Sequence, residues 1–403
     1  MGVSGALVRL AVRHSHLLVI EVPGHWLTRV AVERLAGIRG WRLAVSPADA
    51  DILAVCGSPG PELALAAVSL WEQLPGPRTR IDVAAPDLVA AALDQADAVL
   101  RDTARQRRDS TARDGQGSHD GEDPAASGRD DPAAARHERP ATAYGGHPTD
   151  WRGACSAVQG DAMGPAAIES APRGAIALAH GGEDRDGLEM DVLHVRLGPV
   201  LPDWPAGLVL RAHLHGDLIV EAQAGVVDAG QGGYASGAHV VGGDTSGEAS
   251  QDVGEFAAQR CDNAARVLAL AGWQDAAGRA RAVRDRLLTG EWSVATTELA
   301  RLRRRVRRSG LLRWSLRRVG PLLPGELARL GLAPELTGDV WDRLNGMLDR
   351  AVAAVGGSGS VVVSLPVTPP AAVAGVVSGW DVATARLIVA SLDIAALGTV
   401  RDG

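Results

Sequence analysis

The chain has 403 residues but no lysine, one phenylalanine, two tyrosines and three cysteines. With aromatics at only 3%, most of them among the ten tryptophans, its cores have to be built from Leu, Val and Ala. All 41 basic residues are arginine, which we read as a coding bias toward GC-rich codons. Cys56, Cys155 and Cys261 form no C-x-x-C pair, so neither a zinc ribbon nor a four-thiolate iron–sulfur site can be built from this chain alone. No uncharged stretch of 18 residues has the hydrophobicity of a membrane span, and Arg9, Arg13, His14 and His16 interrupt the first apolar run, against a signal peptide. The net charge of −7 argues against a general nucleic-acid binder. The expected location is the cytoplasm, with a peripheral position at the inner face of the membrane as a variant.

What is present is enough apolar residue, 46%, for the cores of two or three domains. Residues 1–100 alternate short apolar strands (17–22, 41–45, 51–56, 79–83) with stretches of helical spacing (26–37, 62–74, 88–100), the pattern of a parallel α/β sheet. Residues 101–175 are rich in Arg, Asp, Gly, Pro, Ser and Ala without periodicity and read as a disordered linker. Its His119, His137 and His147 are too far apart for a compact metal motif. In 176–403, Leu193, Val195 and Leu197 alternate with polar positions up to Gly198-Pro199. Leu208, Leu210, Leu214, Leu218 and Val220 then flank His215-Gly216-Asp217, the signature of a β-hairpin. A Gly-rich loop at 230–247 follows, then helical spacing over 256–272, 273–288, 291–308 and 338–355.

Several residues carry side chains capable of chemistry. The loop 57–61 lies between a strand and a helix, where backbone amides can meet a phosphate, but Pro59 and Pro61 remove two donors; Ser58 as a helix cap is the plainer reading. His213 and His215, two apart on a strand, share a face and are weak metal candidates without a third ligand; His14 and His16 form a similar pair. Asp184, Asp186 and Asp191 lack a base, nucleophile or metal companion and read as loop and cap residues. Residues 301–318 hold nine arginines and no acid, with Leu302, Val306, Leu312, Leu316 and Val319 as an apolar stripe. Arg304, Arg308 and Trp314 mark this stretch as an interface, toward anionic lipid or an acidic subunit; a solvated charged helix is the alternative.

Four stretches carry a family likeness. Ser46-Pro47, Ala50-Asp51, Gly57 and Trp71-Glu72-Gln73-Leu74-Pro75-Gly76-Pro77 resemble the phrase S-P-x-x-A-D, strand, G, helix, Y-[DE]-Q-[ML]-P-x-P of the small, cluster-carrying subunit of respiratory complex I and of NiFe hydrogenases. Gly198-Pro199, Pro202, Leu208 and 214–219 resemble the N-terminal hairpin of the large, quinone-site subunit, G-P-x-H-P-x-x-H-G-x-L followed by a D-G turn. Residues 338–350 and 379–393 resemble later segments of the same subunit.

The likeness implies a flavodoxin-like N-terminal domain (1–100) and an α+β C-terminal domain (176–403, hairpin unit followed by helical bundle), packed face to face. It also implies losses. The small-subunit ligand loops correspond to 21–26 and 84–87, which contain no cysteine, and the two quinone-site histidine positions fall on Leu201 and Pro205. We therefore expect no catalytic residues and no cofactor, and a pseudoenzyme that is an accessory, assembly or interaction subunit of a complex I-like or hydrogenase-like system. Leu201, Trp204 and Pro205 are its expected contact loop. The alternatives are an electron-transferring NADH:quinone oxidoreductase-like subunit and a small-molecule or metal-binding module.

Overall fold

The structure, a computed structural model, describes residues 12–117, 180–183, 189–228, 246–357, 368–395 and 397. His119, His137, His147, Cys155, Asp184, Asp186 and positions 230–245 of the Gly-rich loop lie outside these residues. The chain divides into two compact units, 1–113 with 179–403, and 114–178. All but four of the described residues, 114–117, belong to the first.

The N-terminal segment begins with β1 (His16–Glu21), α1 (Trp26–Ile38), β2 (Arg42–Leu43) and β3 (Ile52–Cys56). It continues with α2 (Pro61–Gln73), β4 (Thr79–Val83), α3 (Val89–Arg101) and α4 (Thr103–Gly117). The four strands form one parallel sheet in the order β2-β1-β3-β4. β3 is buried at all five positions, which is why its sequence is a continuous apolar run rather than an alternation. One face of the sheet, with Leu17, Ile52, Ala54 and Ile81, is covered by Val32 and Ala36 of α1 and by Val89, Leu93 and Ala96 of α3. The other face, with Leu18, Ile20, Leu53 and Val55, meets Leu63 and Ala67 of α2. That face is completed by residues from the second sheet and the turn after it, Val209 and Val227. The α/β sheet is thus covered on one side partly by the C-terminal segment.

α4 falls inside the stretch expected to be linker. Its sequence has no apolar stripe to announce it, and side-chain contacts tie it down instead. Gln106 accepts from the Arg78 amide (2.9 Å) and donates to the Arg78 and Val99 carbonyls (3.1 Å each). Arg78, itself buried and stacked over Trp71 at 4.2 Å, pairs with Asp109 at 3.1 Å. Ordered structure therefore extends beyond the expected boundary at residue 100.

The C-terminal segment opens with an antiparallel sheet of β5 (His180–Glu183), β6 (Glu189–Leu197), β7 (Leu208–His215) and β8 (Leu218–Val226), paired in chain order. Leu208, Leu210, Ala212 and Leu214 of β7 point into the helical core, as the alternation requires. On β8 the alternation misleads. Leu218 and Val220 are exposed and Ile219 is buried. A register irregularity after His213 shifts the pairing, and Ile219 exchanges backbone hydrogen bonds with the turn at Gly379 and Trp380 (2.7 and 2.9 Å).

The helices follow: α5 (Ser246–Leu270), α6 (Gln274–Leu288), α7 (Trp292–Arg308), α8 (Gly310–Leu316), α9 (Pro324–Leu330), α10 (Val340–Val355), α11 (Pro370–Val377) and α12 (Val382–Ser391). The stretch 301–318 is two helices broken at Ser309, whose Oγ accepts from the Leu312 amide and caps α8. The expected stripe is real: Leu302, Val306, Leu312 and Leu316 are buried. In α10, Asp339 and Asp342 form a reciprocal cap.

Candidate functional site

Ligand sites in open α/β sheets gather at the carboxyl ends of the strands. Here those ends meet the C-terminal segment. β1 runs into the loop 22–25, and Pro23 Cγ lies 2.5 Å from where a Cβ on Gly207 would stand. Only glycine fits there, and its φ of +71° is the second reason. Trp26 Nε1 then donates to Asp262 of α5 at 3.1 Å.

Beside Trp26 a closed network of charges spans the seam. Arg29 of α1 binds three carboxylates at once: Glu21 at the end of β1 (2.5 Å), Glu33 one turn on, and Asp262 (2.5 Å). Arg284 of α6 returns from the other side to Asp262 (2.6 Å), Glu33 (2.7 Å) and Asp285 (2.9 Å). Arg266, one turn beyond Asp262 on α5, closes on Glu21 and Asp262 at 3.6 and 3.5 Å. Arg29, Asp262 and Arg284 are buried. Each charge survives there because its partners outweigh the lost solvation. Burial pushes Asp262 up, but Arg29, Arg284 and Arg266 hold it well below the usual carboxylate range. The same contest leaves Glu33 lowered and Arg29 and Arg284 raised. At the margin, where pairing is thinner, burial prevails. Asp203, 3.2 Å from Arg281, and Asp285 are both raised.

The loop 57–61 is occupied as well. The Gly57 amide donates to the Val83 carbonyl at 2.8 Å, which ties it to β4. The N-terminus of α2 does take an anion, and the anion is the chain's own. Asp228, just past β8, accepts from the amides of Glu62 (3.0 Å) and Leu63 (3.2 Å). A Cβ on Gly60 would lie 2.3 Å from Asp228 Cγ, so the close approach requires glycine. Ser58 makes no capping bond here; the cap comes from 165 residues away.

The residues singled out from the sequence fall into separate places. Trp204 is buried in the helical core, and its Nε1 donates to the Leu208 carbonyl at 2.8 Å. Pro205 is buried, and Leu201 packs at the edge of the same core. From this loop it is Val200 that packs in the cluster with the N-terminal sheet. His213 stacks edge-on to His194 (4.2 Å between centroids) and faces Glu221 at 3.9 Å. His16 lies 3.4 Å from Asp49. Among the described residues no three His, Cys, Asp or Glu side chains are grouped to hold a metal ion. Cys56 and Cys261 are both buried; burial pushes the Cys56 thiol far up, and burial with the charge of Asp262 brings Cys261 to about 12. Such thiols are inert as nucleophiles.

A second buried cluster was not anticipated. Asp393, the last residue of the 388–393 likeness, receives Asn263 Nδ2 (2.9 Å) and Arg350 Nη2 (2.8 Å), and Arg260 Nε lies 2.8 Å from it. Arg260 is fully buried with its guanidinium 4.8 Å over Phe256. The sequence signal is the run Arg260, Asp262 and Asn263 set between the Ala257-Ala258 and Ala264-Ala265 pairs of a helix.

Comparison with known proteins gave no match to any protein-family model and none to any curated protein.

Proposed function

We propose that the chain is a non-catalytic relative of the two-subunit electron-transfer module of complex I and NiFe hydrogenases, acting as an accessory, assembly or interaction subunit of such a system. The observation that carries this reading is the closure of the loop 22–26 onto the C-terminal segment through Pro23–Gly207 and Trp26–Asp262. In the family that the N-terminal segment resembles, the loop in this position supplies thiolate ligands at the contact between subunits. Here the same position supplies proline, histidine and an indole, and the seam is filled by a saturated ion-pair network. The all-parallel order β2-β1-β3-β4 agrees with a flavodoxin-like N-terminal segment, and a β-hairpin unit leading into helices agrees with the large-subunit likeness. A scaffold whose two halves are locked by buried charges suits holding partners in place rather than admitting a quinone.

The test is affinity capture of the tagged full chain from its native cells, with iron and labile-sulfide analysis of the protein purified anaerobically. Subunits of an NADH:quinone oxidoreductase or hydrogenase are expected to co-purify. Stoichiometric iron and sulfide in the isolated chain, or reproducible recovery without any such subunit, overturns the proposal.

A further inference from the structure

The strongest unabsorbed feature is the outer face of α7 and α8. Arg301, Arg304, Arg305 and Arg308 line a concavity of about 630 Å³ together with Trp273 and Ser309. Three neighbouring arginines of this face are already engaged. Arg305 pairs with Asp275 at 3.0 Å and stacks over Trp273 at 5.3 Å, while Arg303 and Arg307 share Asp349. Arg301, Arg304, Arg308 and Arg313 form no ion pair among the described residues, although most buried and half-buried arginines of the chain do. The chain carries a net −7, yet 301–318 holds nine arginines and no acid. The patch is cationic against the charge of the whole molecule.

The helix that begins just after Ser309 carries two bulky, exposed apolar side chains. Leu311 is 77% exposed and Trp314 79% exposed. They lie three apart on α8, hence on one face, while Leu312 and Leu316 anchor the opposite face in the core. Exposed Trp and Leu flanked in the chain by Arg308, Arg313 and Arg317 make the composition of a segment that lies in a bilayer interface: guanidinium groups meet lipid phosphates while indole and leucine enter the acyl boundary. α8 is seven residues long, and no described helix is long and apolar enough to cross a membrane, so the contact is with the surface. A protein partner would have to bring an acidic surface matched to these arginines, whereas an anionic bilayer presents phosphate along the whole face.

We propose that this face of α7 and α8 is a docking surface for a membrane rich in anionic phospholipid, with the arginines on the headgroups and Leu311 and Trp314 in the interface. The inference stands independently of the reading of the seam.

The full chain should co-sediment with vesicles of phosphatidylcholine containing about one third phosphatidylglycerol and not with phosphatidylcholine alone, and binding should fall at least tenfold in high salt. Arg304→Gln with Arg308→Gln should weaken binding about tenfold or more, and Leu311→Ser with Trp314→Ser should do the same. These side chains carry no ion pair and are not buried, so circular dichroism and thermal unfolding should match the parent chain. Absence of binding to anionic vesicles at low salt overturns the proposal. So does binding indifferent to both double variants. Tighter binding of poly-glutamate than of vesicles makes the face a protein contact, and saturable binding of inorganic phosphate without vesicle binding makes it a free-anion site; either result overturns membrane docking.

Discussion

Glu33 and Arg284 are 251 residues apart in the chain and 2.7 Å apart in space. One belongs to the first helix after β1, the other to a helix beyond both sheets. Arg29 and Asp262 repeat the relationship across 233 residues. The N-terminal sheet and the C-terminal helices are therefore joined by charges that are buried, matched and directional. Such a junction gains little net energy over an apolar one but penalises any displaced arrangement, since each broken pair leaves an unsolvated charge.

Asp262 is the most connected carboxylate of the seam, so its removal should be costly. Asp262→Asn leaves Arg29 and Arg284 in a buried site with one counter-charge fewer. We expect a loss of about 3–5 kcal/mol in urea unfolding. Hydrogen exchange should accelerate in α1 and α5 before it does in β3. An effect under about 1 kcal/mol would mean that the site is hydrated and the network marginal.

The seam also sets a pH dependence. Asp262 and Glu33 have folded pKa values below their unfolded ones, so their stabilisation is complete above the unfolded carboxylate range and is lost as pH falls through the folded values. Asp203 and Asp285 are raised and act oppositely, favouring the fold below their unfolded pKa and losing that contribution as pH rises. Asp262 and Glu33 lie at the centre of the network, each paired with more than one arginine, so stability should decline on acidification below about pH 4 to 5. Asp262→Asn should flatten that decline. Parallel curves for the parent and the variant would assign the acid sensitivity elsewhere.

Asp228 caps α2 across the two segments. Asp228→Ala removes two hydrogen bonds to the Glu62 and Leu63 amides and a favourable charge at the helix N-terminus, at a cost of about 1–2 kcal/mol. Asp228→Asn keeps an acceptor and should fall between. Equal losses for Ala and Asn would show that the charge, rather than the hydrogen bond, dominates.

Trp204 lies in the core with its indole bound to the Leu208 carbonyl. Trp204→Phe should cost about 1 kcal/mol beyond its packing change for the unpaired carbonyl, and Trp204→Ala about 3–5 kcal/mol. Calorimetry should place the loss in the main transition. An unchanged transition would mean that the residue serves only a surface.

Cys56 and Cys261 should be silent toward a thiol reagent in the native protein. In a Cys155→Ser background, labelling should be slow at pH 8 and should reach two thiols per chain on denaturation, because both are buried with raised pKa values. Fast native labelling would show that the strand or helix carrying them opens locally.

The elements that local chemistry fixes can be read directly along the chain. The apolar run at 51–56, the alternation at 208–214, the Gly216-Asp217 turn and the helical spacing over 26–37 and 338–355 all reappear as structure, within a residue or two at their ends, because period and turn residues act within a few positions. α4 was hidden because it has no apolar stripe and rests on Gln106 and Asp109 reaching Arg78. On β8, Ile219 rather than Leu218 or Val220 turns inward, because the register shift after His213 and the distant Gly379–Trp380 turn together set its face. The candidate site was the least legible. Arg29 and Glu33, four apart on a helix, look in sequence like a solvated surface pair, and Asp262 like a helix polar position. Only the tertiary structure brings α5 and α6 over α1, buries those charges and sends Asp228 to the start of α2. Charge pairing across more than 200 residues leaves no periodicity to read, since it depends on where two faces meet rather than on what precedes or follows each residue.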